Sequence, residues 1–129
     1  MARPVVGVIG NAHLVENRFA VQMVGERNLR AVAEVADAVP LMFPALPDIT
    51  RIAELLEIVD GILLTGARAN VHPVRFRREH HPAHEPYDER RDDLALGLIE
   101  ACVDGFQESM QRQAAEKNRA TPFSDEIPF

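Results

Sequence analysis

A single cysteine, Cys102, stands in this chain of 129 residues. It excludes an internal disulfide framework and any zinc site built on more than one thiolate. Tryptophan is absent and tyrosine occurs once. The two serines, Ser109 and Ser124, both lie in a polar C-terminal stretch, and no G-x-S-x-G elbow exists to make one a nucleophile. No GxxxxGK[ST] loop occurs, which argues against a Walker-type nucleotide hydrolase. No apolar run reaches the roughly 18 residues of a membrane span, and the residues after Met1 enter an apolar run too short for a signal peptide. Lysine is confined to Lys117 beside thirteen arginines, a lopsidedness that reads as coding bias. The cytoplasm is the default location.

What remains is an ordinary globular composition, with 47% hydrophobic and 26% charged residues. The length fits one domain with one real core. A formal net charge of −6 argues against a broad nucleic-acid footprint.

Residues 5–9 (Val-Val-Gly-Val-Ile) form a β-branched run closed by Gly10-Asn11, the signature of a buried strand and a turn. Residues 11–25 read as a loop or irregular stretch. Leu29, Val32, Ala33 and Ala36 then fall at helical spacing over 26–36. Residues 39–43 form a second strand, whose Pro40 cannot donate to a ladder and so disfavours a central position. Asp48 or Thr50 is placed to cap a helix carrying Ile52, Leu55, Leu56 and Val59. Asp60-Gly61 breaks that helix, and Ile62 to Thr65 give a third strand. Its continuous apolar character suits burial on both faces of a parallel sheet.

After Gly66 some 25 residues lack periodicity, and loops this long in a compact domain are commonly functional or disordered. Helix resumes over about 89–103, and Gly105 is expected to interrupt it. The tail from 106 is polar, with a helix-competent part at 107–118. The pattern βαβαβ-loop-α implies an open parallel α/β sheet of three layers with strand order 2-1-3. A fourth strand should follow residue 103 and is not visible.

Several clusters could carry chemistry. Gly7 and Gly10 lack the third glycine of a dinucleotide fingerprint, so no cofactor is expected. His80, His81 and His84, near Glu79, Glu85 and Asp88, are metal-ligand types. Adjacent histidines aim poorly at one ion, however, and Pro82 and Pro86 break any period. A solvated loop without metal is the plainer reading, with a metal-dependent enzyme as the rival. Arg75, Arg77 and Arg78 could attract a phosphate or carboxylate or simply form a surface charge run. Cys102, late in a helix beside Ile99, Ala101 and Val103, reads as a buried, inert thiol.

A set of segments gives a sharper indication. Gly10-Asn11, residues 24–32 (VGERNLRAV), residues 40–44 (PLMFP), residues 60–66 (DGILLTG) and residues 70–73 (NVHP) resemble the opening of the gamma-glutamyl-gamma-aminobutyrate hydrolase family. This family is peptidase C26-like and belongs to the class I glutamine amidotransferase-like superfamily. Residues 88–92 (DERRD) and 96–101 continue the likeness, which covers about 4–104. The LLTG-x-x-x-N-V-x-P pattern over 63–73 is its most specific part.

The resemblance implies a flavodoxin-like α/β fold, truncated here after about three strands. It also implies hydrolysis of a small gamma-glutamyl ligand by a Cys-His-Glu triad. The family's nucleophile stands in a pattern like C-R-G-x-Q-E after a fourth strand. Gly105-Phe106-Gln107-Glu108 is similar to its second half, but Val103-Asp104 occupy the place of Cys-Arg. The backbone N–H near Gly66 is what the resemblance leaves as an oxyanion-type donor. Residues 1–104 thus read as a partial family domain and 105–129 as a divergent polar tail. The expected chain is an inactive gamma-glutamyl amide hydrolase relative. The alternative is a non-catalytic small α/β protein that binds through the 75–84 loop or self-associates through an exposed sheet edge, without nucleic-acid or membrane partners.

Overall fold

The computed structural model describes residues 2–120. The chain divides into two compact units, Met1–Leu98 and Ile99–Phe129.

The first unit is built on a three-stranded parallel sheet of β1 (Val5–Ile9), β4 (Val39–Phe43) and β5 (Gly61–Leu63) in the order β4-β1-β5. This is the expected order, with the first strand central. Val6 lies opposite both Pro40 and Gly61, and Val8 opposite both Met42 and Leu63. Pro40 sits on an edge strand, where a missing donor is tolerated. The strand expected at 62–65 is shorter and begins one residue earlier. Its residues are half-buried rather than covered on both faces.

Strand alternation divides the core. Val8, packed with Val6, joins Val32 and Ala38 on one face, supported by Val24 and Leu29. Ile9 joins Phe43, Ala45, Leu55, Val59, Leu94 and Leu98 on the other. One face is therefore covered by α1 (Glu26–Arg30) and its continuation, the other by α2 (Ile52–Ile58) and the opening turns of α3 (Glu89–Ala120). Gly7 is closely packed: a Cβ there would lie 3.1 Å from Ile62 Cδ1 and 3.2 Å from Val59 Cγ1, so a larger residue would need these side chains to shift. Asp60 fastens β1 at its start, its Oδ2 accepting from Val5 N at 2.8 Å while its own N–H donates to Val5 O.

Several expectations are corrected. Residues 11–25 are not irregular: β2 (Asn11–Val15) and β3 (Phe19–Met23) form an antiparallel hairpin. Its turn places Glu16 and Asn17 at φ 52° and 54°, the left-handed pair of a hairpin turn usually signalled by Asn-Gly. With Glu-Asn in those places the signal is weak. The hairpin is tied to the sheet by Gln22, whose Oε1 accepts from Ala45 N at 2.9 Å. The helix over 26–36 widens into a π turn over Ala31–Val35. Neither Asp48 nor Thr50 caps α2; the Thr50 hydroxyl donates instead to Pro44 O.

Gly105 does not interrupt α3, which runs through it for 32 residues. One glycine costs only about 1 kcal/mol against alanine, and good helix formers follow at Gln107, Glu108, Ala114, Ala115 and Glu116. Cys102 is helical as expected but exposed, not buried. The buried positions of α3 stop at Leu98, one turn short of it.

Taken alone, the second unit is helical over its described part, with Ile99, Val103, Phe106 and Met110 exposed. The proline-bearing end assigned to the tail, residues 121–129, lies outside the described residues. Among the described residues no helix is long and apolar enough to cross a membrane.

Candidate functional site

The chain leaves β1 toward β4 on one side and later returns to β5 on the other. In open α/β sheets such a reversal of strand order opens a crevice beyond the carboxyl ends of the strands, where ligands bind. A cleft of about 1330 Å³ lies here. Its walls come from the β2–β3 hairpin (Asn11, His13, Gln22), the start of α1 (Arg27, Asn28), residues 66–69 after β5, and the entry to α3 (Tyr87, Asp88, Glu89, Arg90). All of these belong to the first unit.

Two close approaches shape it. Gly10 N donates to Phe43 O at 2.8 Å, and a Cβ on Gly10 would lie 3.0 Å from that carbonyl and 2.9 Å from Gln22 Oε1. Glycine is thus imposed where β1 passes into the hairpin. Gly66 is different, since a Cβ there would meet nothing within 4 Å. The residue expected as the oxyanion-type donor does line the cleft, and the fold does not demand a glycine in its place.

The long loop after Gly66 is fastened to α3. Asp88 caps the helix, its Oδ1 accepting from Arg91 N at 3.1 Å. A carboxylate in this position satisfies an orphan N–H and favours the helix dipole. Arg91 reaches back to β5's exit, its guanidinium donating to Thr65 O at 2.5 Å. Burial pushes the Arg91 pKa below the ordinary arginine value, while Asp88 and Asp92 draw it back up. Asp92 is itself buried and accepts from His72 N at 2.9 Å. Arg75 pairs with Asp93. Asn70 N donates to Pro86 O at 2.9 Å, and its Nδ2 donates to His84 O. The rings of His72, His80 and Tyr87 meet edge-on or tilted, His72 to Tyr87 at 4.8 Å.

These contacts place the residues that the sequence singled out. His72 and His81 use Nδ1 to accept from backbone N–H groups of the short 3-10 turns that follow them. His80 Nε2 lies 2.8 Å from Glu85 Oε1. Among the described residues no three histidine, cysteine, aspartate or glutamate side chains are grouped to hold a metal ion. The basic cluster separates: Arg75 is engaged with Asp93, while Arg77 takes a left-handed backbone at φ 59°. Cys102 is not among the cleft residues.

Sequence reasoning missed His13, Asn17 and Gln22, because the hairpin was not legible. It also missed the Arg91–Thr65 and Asp92–His72 links. For the first link a signal existed in Asp88, a capping residue opening a helix. Asp92 should be the loop's main fastening. Asp92→Ala is expected to leave the His72 N–H unsatisfied, lower stability by about 1–3 kcal/mol, and speed proteolytic cleavage within 67–88. A cleavage rate equal to wild type would contradict that role.

A profile of the peptidase C26 family matches residues 4–106. A second profile, of a family of unknown function (DUF6511), matches residues 84–129. The chain is similar to a gamma-glutamyl-gamma-aminobutyrate hydrolase of Escherichia coli O157:H7, at 33% identity over 109 residues. The match takes in 81% of this chain and 40% of that relative's length.

Proposed function

Because this chain belongs to the peptidase C26 family, we propose that its cleft receives a small gamma-glutamyl ligand and that the chain alone does not hydrolyse it. The gamma-glutamyl-gamma-aminobutyrate hydrolase to which it is similar suggests the ligand class, and the cleft's place at the strand-order reversal supports it.

The observation that carries the second half is the course of α3. A cysteine elbow works because a strand-to-helix turn projects a thiolate beside its base and beneath backbone donors. Here residues 103–108, which resemble the elbow's surroundings, are uninterrupted helix. Cys102 stands within that same continuous helix and not at a strand-to-helix turn. Gly66, the oxyanion-type donor implied by the family resemblance, lines the cleft. One donor stabilises a developing oxyanion, and His13 also lines the cleft, but among the described residues no cysteine, serine or threonine does, and without a nucleophile no covalent cycle is completed. On this reading residues 1–104 are a flavodoxin-like, amidotransferase-type portion, and 105–129 are divergent.

The test is calorimetric titration with gamma-glutamyl-gamma-aminobutyrate, followed by chemical assay of the recovered ligand. Binding with the amide intact is expected. Self-association through a sheet edge receives less support: β5 is three residues long and β4 carries Pro40, both devices that blunt an edge.

A further inference from the structure

We propose that Arg27, Arg68 and Arg90 form an anion-recognition set that selects short aliphatic ligands carrying two carboxylates. The proposal deepens the gamma-glutamyl reading of the cleft and rests on it for the ligand's size.

The three arginines come from three elements: α1, the segment after β5, and the first turn of α3. All three line the cleft. Five other arginines of the described residues are engaged, Arg3 with Asp37, Arg30 with Glu26 and Glu34, Arg51 with Glu54, Arg75 with Asp93, and Arg91 with Thr65; Arg77, Arg78, Arg112 and Arg119 are not, but none of these lines the cleft. Among the described residues, Arg27, Arg68 and Arg90 have no hydrogen-bond or ion-pair partner. Three uncommitted guanidinium groups around one cleft stand out in a chain of net charge −6.

The acidic residues of the cleft neutralise them only in part. Asp88 and Glu89 also line it, but Asp88 is committed to the helix cap and to Arg91. The local balance is positive in a negative chain, which concentrates anions there. Guanidinium is a planar donor fork matched to carboxylate. Three forks on separate walls suit a ligand with anionic groups at both ends better than a single point charge. Between them Leu14, Met23, Ala67 and Ala69 line the cleft and would cover a short methylene chain.

The test is calorimetric titration of the full chain with glutarate, butyrate and inorganic phosphate, using wild type and Arg27→Gln, Arg68→Gln and Arg90→Gln. These positions are exposed, so the variants should melt as wild type does. Glutarate is expected to saturate a single site. Butyrate should bind at least about tenfold more weakly, as should glutarate in each variant, the scale of one lost charged hydrogen bond. Arg30→Gln, outside the cleft, should bind glutarate normally.

Glutarate binding no tighter than butyrate or phosphate would overturn the proposal, as would variants that bind glutarate like wild type. A parallel titration with gamma-glutamyl-gamma-aminobutyrate separates the two readings. Binding that ignores all three substitutions overturns the arginine set and leaves the gamma-glutamyl reading standing. Arginine-dependent glutarate binding without any gamma-glutamyl binding does the reverse.

Discussion

Incubated with gamma-glutamyl-gamma-aminobutyrate, the chain is expected to release glutamate no faster than buffer alone. Cys102→Ser should change nothing. The expectation follows from missing parts rather than weak ones. Covalent amide hydrolysis needs a nucleophile and a base within hydrogen-bond reach, about 2.6–3.2 Å, with donors above the developing oxyanion. The single thiol is on α3 and outside the cleft lining. His72, His80 and His81 are engaged in their own loop, and His13 lines a cleft that, among the described residues, holds no cysteine, serine or threonine for it to activate. Because Cys102 is exposed, a thiol reagent should label it readily in the native state. Complete labelling should leave gamma-glutamyl ligand binding unchanged. Turnover above background that disappears in Cys102→Ser would mean that the cysteine reaches the cleft, and would overturn this view of α3.

The second large effect concerns where the core ends. Leu98→Ala is expected to destabilise the fold by about 2–5 kcal/mol, the range for deleting a buried leucine side chain. Leu98 is 1% exposed and packs with Ile9, Phe43, Leu55 and Leu94. Five residues further along the same helix, Val103 is 49% exposed. Val103→Ala should stay within about 0.5 kcal/mol, and the better helix propensity of alanine works in its favour. Denaturant unfolding of both variants measures the contrast. Equal losses would show that residues beyond Leu98 are packed in solution.

Much of this was legible from local pattern. The run at 5–9, the stripe of Leu55 and Val59, and the break at Asp60-Gly61 each point to one period of structure, and the parallel order follows from short crossovers. Pro40 marked its strand as an edge. The hairpin was hidden because its turn uses Glu16 and Asn17 where glycine would announce a positive φ. In α3 two local signals point away from the structure. Gly105 reads as a breaker but costs too little to end the helix, and the apolar neighbours of Cys102 suggest burial where the residue is exposed. Helical periodicity records which face is apolar but not whether anything covers it. Of the cleft, the sequence singled out Gly66 as a site residue and Asp88 only as a metal-ligand type, since the remaining walls depend on the hairpin and on links between residues distant in sequence. Arg91 and Thr65, 26 residues apart, are one such link.

The most direct test is a two-dimensional amide NMR titration of the chain with gamma-glutamyl-gamma-aminobutyrate, with the ligand's own resonances followed over hours. Retained binding without hydrolysis predicts saturable shifts at Asn11, at 66–69 and at 88–90. Resonances of 102–108 should stay in place and the ligand spectrum should remain constant. Ligand resonances converting to free glutamate, together with shifts centred on Cys102, would contradict the account.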